Sequence, residues 1–541
     1  MARMTGGQAL VELLRQRGVD TIFALPGVQN DHLFTALYDA RNSIRVIHPR
    51  HEQAAAYMAY GYAKASGRVG TYAVVPGPGV LNTTAALATA YAANAPVLCI
   101  SGQIPLAMIG RGLGFLHEIP DQLGVLQRLT KWSARIEHPA AAPHLVDEAF
   151  RQMLSGRRRP VALEIPLDVL AQSAEVPMLA PTEPDPPPVA DPAQVSKAAQ
   201  LLRDAKRPLL IIGGGAHGAS AEIIALAERL QAPIICSLSG KGAIDERHPL
   251  AINIATGHRF WAKADVVLAI GTRLQPQLVN WGLDDDLALI RIDIDPIEIG
   301  RVQRPRVSIV ADAAEAVRAI DQSLGELSRP SPRTDEITKT RSEVDQVIAQ
   351  LTPQREFVAA IRAAVPEDGI YVDELTQVSY VARLTYPAYR PRSFIDSGYQ
   401  GTLGYGFPTA LGAKVAEADR PVVSVSGDGG FMYNVQELAT AVQQRIAVVA
   451  VVFVDNAFGN VKRMQREDYE GRVIASELHN PDFAAMARLF GAHGARATTP
   501  DQLSEEIRAA IKRPVPTVIE VPIGDTPSPW KLLYMGRARR R

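Results

Sequence analysis

The sequence predicts an α/β protein built from three doubly wound parallel-sheet domains. Three observations carry this. Apolar runs of strand length alternate with helix-length segments along nearly the whole chain, the pattern of βαβ units. Several of those runs end in glycine-rich turns, as strands do at the carboxyl edge of an open sheet. Two breaks divide the chain: residues 176–191, VPMLAPTEPDPPPVAD, too proline-rich for a helix or sheet interior, and residues 326–337, ELSRPSPRTDEI. The pieces 1–178, 190–328 and 345–530 are each of domain size, as expected of a 541-residue chain too long for one core.

The first piece opens with a helix over 6–18 and a strand over 21–25. Pro26-Gly27 turns the chain, and Asn30-Asp31 caps the next helix. A strand over 44–48 leads to His51-Glu52-Gln53 and a long helix of small residues over 54–65. A strand over 71–75 runs into Pro76-Gly77-Pro78-Gly79, a helix starts at Asn82, and a strand covers 97–101. Gly110 to Gln122, GRGLGFLHEIPDQ, reads as a loop. The middle piece begins with a strand over 208–212 followed by Gly213-Gly214-Gly215-Ala216-His217-Gly218, a weak dinucleotide pattern. The acidic residue expected about 20 positions later is missing from Pro233 to Ser239. The last piece has strands at 371–373, 422–425 and 448–454, and a helix over 435–442. The basic tail, Met535 to Arg541, is expected to fray.

Composition narrows the function classes. Lys+Arg and Asp+Glu both number 57, which gives no electrostatic case for nucleic acid or an anionic membrane. No run of 18 apolar residues exists and the first helix lacks the apolar centre of a signal peptide, so a cytoplasmic enzyme is the expectation. Cys99 and Cys236 lie in apolar runs and read as small hydrophobes, not a disulfide.

The chemistry concentrates between Pro421 and Val461. Asp428 follows one strand and Asp455 follows the next, so a βαβ unit sets both at the carboxyl ends of parallel neighbours. Two hard oxygen donors there suit Mg²⁺ or Ca²⁺, the cations that accompany diphosphates. Gly427, Gly429 and Gly430 let a phosphate approach the backbone, and the following helix points its N-terminus at the same spot.

Gly-Asp-Gly, a helix and a strand, then an acidic or amide residue resembles the thiamine diphosphate motif of acetolactate synthases, pyruvate decarboxylases and benzoylformate decarboxylases. The second ligand of that motif lies 27 residues after the first, as Asp455 does after Asp428. The resemblance implies Mg²⁺ held by Asp428, Asp455 and the Ala457 carbonyl, with Phe458 and Gly459 completing the cofactor-binding turn. The family usually has Asn where Asp455 stands, and the adjacent Asn456 leaves a one-residue shift open. Pro26-Gly27, His51-Glu52-Gln53, Pro76 with Asn82, Leu375-Thr376-Gln377 and Gly401-Thr402-Leu403 fall in the family's order. By resemblance, Glu52 bonds the aminopyrimidine ring and passes the proton that activates the thiazolium carbon. Leu375, Thr376 and Gln377 line the diphosphate, the Gly401 carbonyl holds the exocyclic nitrogen, and Leu403 props the cofactor into a bent shape. The pieces then become a pyrimidine-binding, a central and a diphosphate-binding domain.

Departures matter too. Leu116-His117-Glu118 replaces the Phe-Gln-Glu segment that synthases carry beside the reacting carbon, which makes His117 a candidate proton donor. Met464 stands where synthases place a tryptophan that selects 2-oxobutyrate. Val28, Gln29 and Asn30 are the other substrate candidates. The synthases hold FAD in the central domain; the missing acidic residue and a short segment from Gly257 to Asp265 weigh against FAD here without removing it from the candidates. The resemblance implies thiamine diphosphate chemistry on a 2-oxo acid in a homodimer or homotetramer. An acetolactate-synthase-like carboligase ranks first, a simple decarboxylase second, and a non-catalytic cofactor-binding paralogue last.

Overall fold

The computed structural model describes residues 1–327 and 332–539. It contains three six-stranded sheets, all parallel, flanked by helices. In the first, the strands lie in the order Arg45–Ile47, Thr21–Ala24, Gly70–Val74, Val97–Gln103, Val161–Pro166, Trp132–Arg135. In the last, the order is Phe394–Ile395, Ile370–Asp373, Val422–Gly427, Val449–Val454, Thr517–Pro522, His493–Arg496. Numbered within each sheet along the chain, both run 2-1-3-4-6-5, whereas the middle sheet runs 3-2-1-4-5-6. In the outer sheets the chain reverses direction of travel between strands 1 and 3. Crevices therefore open after Ala24 and Val74, and after Asp373 and Gly427.

The strands read as apolar runs because they are covered on both faces: all six residues of Val161–Pro166 and all five of Val266–Ile270 are buried. Helix starts are set by side chains. Thr5 Oγ1 accepts the Gln8 N–H at 3.2 Å while Gln8 Oε1 accepts the Thr5 N–H at 2.9 Å, a closed capping box. A small antiparallel pair, Ala2–Thr5 with Ser173–Val176, ties the two ends of the first unit together.

The first and last units share one apolar core, which includes Phe23, Tyr57, Tyr72, Phe407, Leu411 and Phe431. At its centre helix Glu52–Ser66 crosses helix Gly406–Ala416. A Cβ on Gly61 would overlap the Thr409 carbonyl oxygen, and one on Gly412 would overlap that of Met58. Two glycines therefore permit backbone-to-backbone contact between the units.

Four expectations change. The helix after Gly427 begins at Asp428, runs only to Phe431 and resumes at Glu437–Gln443, instead of starting at Val435. The helix expected from Asn82 starts at Pro78, where proline's fixed φ suits a first turn. Helix Thr334–Ile348 starts inside the second break; residues 328–331 of that break lie outside the described residues. The tail does not fray up to Arg539: its guanidinium donates to the Trp261 carbonyl at 2.8 Å and to that of Ala264, and pairs with Asp284. Arg540 and Arg541 lie outside the described residues. Among the described residues, no helix is long and apolar enough to cross a membrane, and Cys99 and Cys236 are free thiols.

Candidate active site

The crevice of the last sheet gathers two carboxylates. Asp428, at the start of its short helix, is buried; Oδ1 accepts the Gly429 N–H at 2.8 Å, and Oδ2 accepts the Asn456 N–H at 2.7 Å and Asn480 Nδ2 at 2.8 Å. Asp455 directly follows the neighbouring strand Val449–Val454, and its Oδ1 accepts the Ala457 N–H at 3.1 Å. Burial raises both carboxyls, and Asp428 adds its repulsion to Asp455, which is pushed up to about 6. Two acids that oppose each other's ionisation in a half-buried crevice make a site that a divalent cation would relieve. Among the described residues no hydrogen bond reaches the Ala457 carbonyl, although the turn around it is pinned: Phe458 N–H donates to Ser476 O and Leu478 N–H to Asn456 O, each at 2.8 Å. Two carboxylates and one uncommitted carbonyl fit an oxygen-liganded cation. Asn456 has φ of 54° and spends its side-chain oxygen on Asn480 Nδ2 at 3.0 Å, which favours Asp455 over Asn456 as a ligand.

The glycines of the turn divide between two tasks. A Cβ on Gly430 would overlap Glu374 Oε1, and one on Gly429 would come within 2.7 Å of the Phe458 ring; only Gly427 has room, with Thr376 3.5 Å away. Gly459 likewise leaves space for the Asp455 carboxylate. Glu374, fully buried, is the hub of this crevice. It accepts the Gly404 N–H at 2.6 Å, the Gly406 N–H at 2.9 Å and the Ser426 hydroxyl at 3.1 Å. Burial pushes its carboxyl up to about 7. Leu375 and Thr376 lead from it into helix Gln377–Thr385, and Gln377 Oε1 accepts Arg463 Nη1 at 3.1 Å. Gly401 and Gly404 both have positive φ, 57° and 79°, and hold the half-exposed Leu403 on a tight turn between them.

The crevice of the first sheet holds Glu52, the first residue of its helix, whose Oε2 accepts Asn82 Nδ2 at 3.1 Å. The helix start is fixed from the other unit. The Glu437 carboxylate accepts the N–H of Arg50 at 3.0 Å and of His51 at 3.1 Å, and the Thr440 hydroxyl at 2.6 Å. Pro76 and Gly77 are buried, and Gly77 N–H donates to Gln122 Oε1 at 2.8 Å. Pro26 and Val28 are exposed beside Gly27, whereas Gln29 and Asn30 are buried, Asn30 against Gly102. Gln29 lies 2.9 Å from His117 Nδ1. Met464 is half exposed on helix Gly459–Asp468.

The structure thus brings Asp428, Asp455, Ala457, Phe458 and Gly459 together with Leu375–Gln377, and Glu52 together with Asn82. Among the described residues no hydrogen bond joins Glu52 or the turn 26–30 to the turns 427–430 or 455–459. Glu374, Glu437 and Asn480 carry structural duties that the sequence reading did not assign. An acidic residue directly after an apolar strand signals Glu374, and a Glu in a helix's first turn signals Glu437. Nothing in the irregular stretch around Asn480 marks it. The glycine run of the middle sheet is spent on packing: Gly213 N–H donates to Ile270 O at 2.9 Å, Gly215 N–H to Gly271 O at 3.1 Å, and a Cβ on Gly213 would overlap Gly271.

Three parallel sheets, with two carboxylates in a crevice of one and a glutamate in a crevice of another, are the arrangement that the sequence resemblance implies. Family models agree over most of the chain: the thiamine pyrophosphate enzyme N-terminal TPP binding domain matches residues 4–125, the central domain 195–320 and the C-terminal TPP binding domain 375–521. The chain belongs to the thiamine pyrophosphate enzyme family. It is 36% identical to a probable 2-ketoarginine decarboxylase of Pseudomonas aeruginosa, over 96% of this chain and 94% of that protein. It is 34% identical to a probable acetolactate synthase large subunit of Methanocaldococcus jannaschii, over 96% and 92%. Acetolactate synthase isozyme 3 large subunit of Escherichia coli is 30% identical, over 95% and 93%.

Proposed function

We propose that the protein uses thiamine diphosphate and Mg²⁺ to cleave a C–C bond of a 2-oxo acid and to join the resulting fragment to a second carbonyl, as a carboligase of the acetolactate synthase kind. The observation that carries this is the pairing of Asp428 and Asp455 beside the uncommitted Ala457 carbonyl, in a chain of this family that also retains Glu52. When bound, thiamine diphosphate supplies a carbon centre that stabilises the negative charge left on the substrate. Asp428, Asp455 and Ala457 would hold the metal, and the backbone of Gly427 to Gly430 with Leu375 to Gln377 the diphosphate. Leu403 and the Gly401 carbonyl would hold the cofactor in place for reaction. Glu52, oriented by Asn82 and by the Glu437 cap on its helix, would hold and move the proton at the pyrimidine ring. Exposed Val28 and Met464 would face substrate. FAD is left out of the proposal, supported by the close packing of the loop 213–216. Among the described residues no hydrogen bond joins Glu52 to the metal-side turns, which supports a homodimer in which each site takes one half from each protomer. Exposed Leu116 and Val28 give a second copy apolar surface to cover.

A second reading ends at decarboxylation, with the product released as an aldehyde. The presence of His117, a titratable group, on the loop beside Gly77 favours it. Products separate the two. Incubation with pyruvate, and with 5-guanidino-2-oxopentanoate, in the presence of cofactor and Mg²⁺ should give a condensed hydroxy-ketone product for carboligation and the one-carbon-shorter aldehyde alone for decarboxylation. Glu52→Gln should keep cofactor affinity within a few-fold and lose roughly 10²–10⁴ in turnover; undiminished turnover refutes its role.

A further inference from the structure

We infer that Gln29 is a positioning residue: it locks the neutral His117 ring in the Nδ1–H form and so presents Nε2 as the atom that exchanges a proton. This rests on the reading of His117 given above. The assignment follows from which groups can only accept. Gln29 Nε2 lies 3.0 Å from the Leu116 carbonyl oxygen, and Gln29 Oε1 lies 2.9 Å from His117 Nδ1. A carbonyl oxygen has no hydrogen to give, so the amide nitrogen faces Leu116 and the amide oxygen faces the ring. That oxygen also only accepts, so Nδ1 carries the hydrogen and the lone pair of the neutral ring sits on Nε2. Nε2 has no hydrogen-bond partner among the described residues. The charged ring keeps the same Nδ1–H bond, so Nε2 can gain a proton from water and give it to a substrate atom with no rearrangement. The N–H electron pair returns to Nε2.

The loop is built to hold this pose. Gln29 is 4% exposed. His117 takes φ of 69°, left-handed for a residue with a side chain, and its carbonyl lies where a Cβ on Gly77, itself at φ 58°, would overlap it. The next residue, Glu118, closes the loop by accepting the N–H of Gly112 at 3.0 Å, Gly114 at 2.7 Å and Phe115 at 2.9 Å. The left-handed backbone of one histidine is held by five hydrogen bonds of the loop, two with Gln29 and three to Glu118.

Imidazole ¹⁵N spectra of the full-length protein test this, with the His117 signals identified by their loss in His117→Ala. Above the ring's titration, the native protein should show a protonated Nδ1 and an unprotonated Nε2. Gln29→Leu should move the ring towards the opposite form and lower kcat at least about tenfold, with KM and cofactor affinity within about twofold. Gln29→Glu, which keeps an acceptor facing the ring but has no hydrogen for the Leu116 carbonyl, should keep the native ring form while loosening the loop at Leu116. An unprotonated Nδ1 in the native protein, or a folded Gln29→Leu with native kcat, overturns the inference; if Gln29→Leu does not fold, the native and Gln29→Glu spectra decide. The spectra need no turnover. A native protein inactive with cofactor and Mg²⁺ would therefore sink the functional reading and leave the ring assignment standing.

Discussion

Glu374 shows how a single residue can organise a site it does not serve directly. Its carboxyl reaches the backbone of Gly404 and Gly406 and the hydroxyl of Ser426, so three segments of the cofactor crevice move only if it does. Its burial has a sign. The folded state holds the proton up to about 7, while the unfolded chain loses it near the ordinary carboxyl value of 4.5. A raised carboxyl favours the folded state less as pH rises, so this residue's contribution is lost between about pH 4.5 and 7, on the order of 3 kcal/mol. Denaturant midpoints at pH 5 and pH 8 should fall with pH in the native protein and show a weaker slope in Glu374→Gln; an equal slope refutes the assignment. At this scale the sequence was most readable where spacing carries chemistry. Asp428 and Asp455 fall together as their separation along the chain implies, and Glu52 opens its helix as expected. Gln29 and Asn30 are buried in the turn after Gly27, and a turn's sequence does not say which of its side chains point inward. Asn480 was invisible for another reason: its contact with Asp428 spans 52 residues with no pattern between them.

Among the elements, the crossing of helices Glu52–Ser66 and Gly406–Ala416 links fold to function. The run of alanines and glycines in both was visible in the sequence as small-residue helix. Their mutual contact was not, since small residues show that something comes close without saying what. Because the Gly412 Cβ position coincides with the Met58 carbonyl oxygen, Gly412→Ala has no side chain to push aside. It should cost about 3 kcal/mol or more of stability, and weaken cofactor affinity as well, because the helix it would push against begins with Glu52. A thermal denaturation midpoint unchanged from the native protein would contradict the close crossing. The short helix Asp428–Phe431 was misplaced for a related reason. Helical periodicity needs several turns to show, and one turn wrapped around a carboxylate has none.

Across the whole molecule, the outer sheets repeat one strand order and the middle sheet has another. Alternation of strands and helices revealed three α/β units but not these orders, which depend on pairings between distant strands. The C-terminal tail is the clearest long-range surprise. Charge and position suggested fraying, but Arg539 finds two carbonyls and Asp284 in the middle unit. Arg539→Ala leaves those acceptors unpaired, at roughly 1–3 kcal/mol, and should open the tail after Met535 to proteolysis under conditions where the native chain resists; equal protection would place the tail's anchor elsewhere. The account as a whole depends on the Asp428–Asp455 crevice holding a metal-bound diphosphate. A crystal grown with thiamine diphosphate and Mn²⁺ in place of Mg²⁺ tests this most directly, through the anomalous signal of the metal. The expected result is one strong peak among the Asp428 and Asp455 carboxylates and the Ala457 carbonyl, with the cofactor arching over Leu403 towards a partner's glutamate. A saturated crystal with no peak between those two aspartates would contradict it.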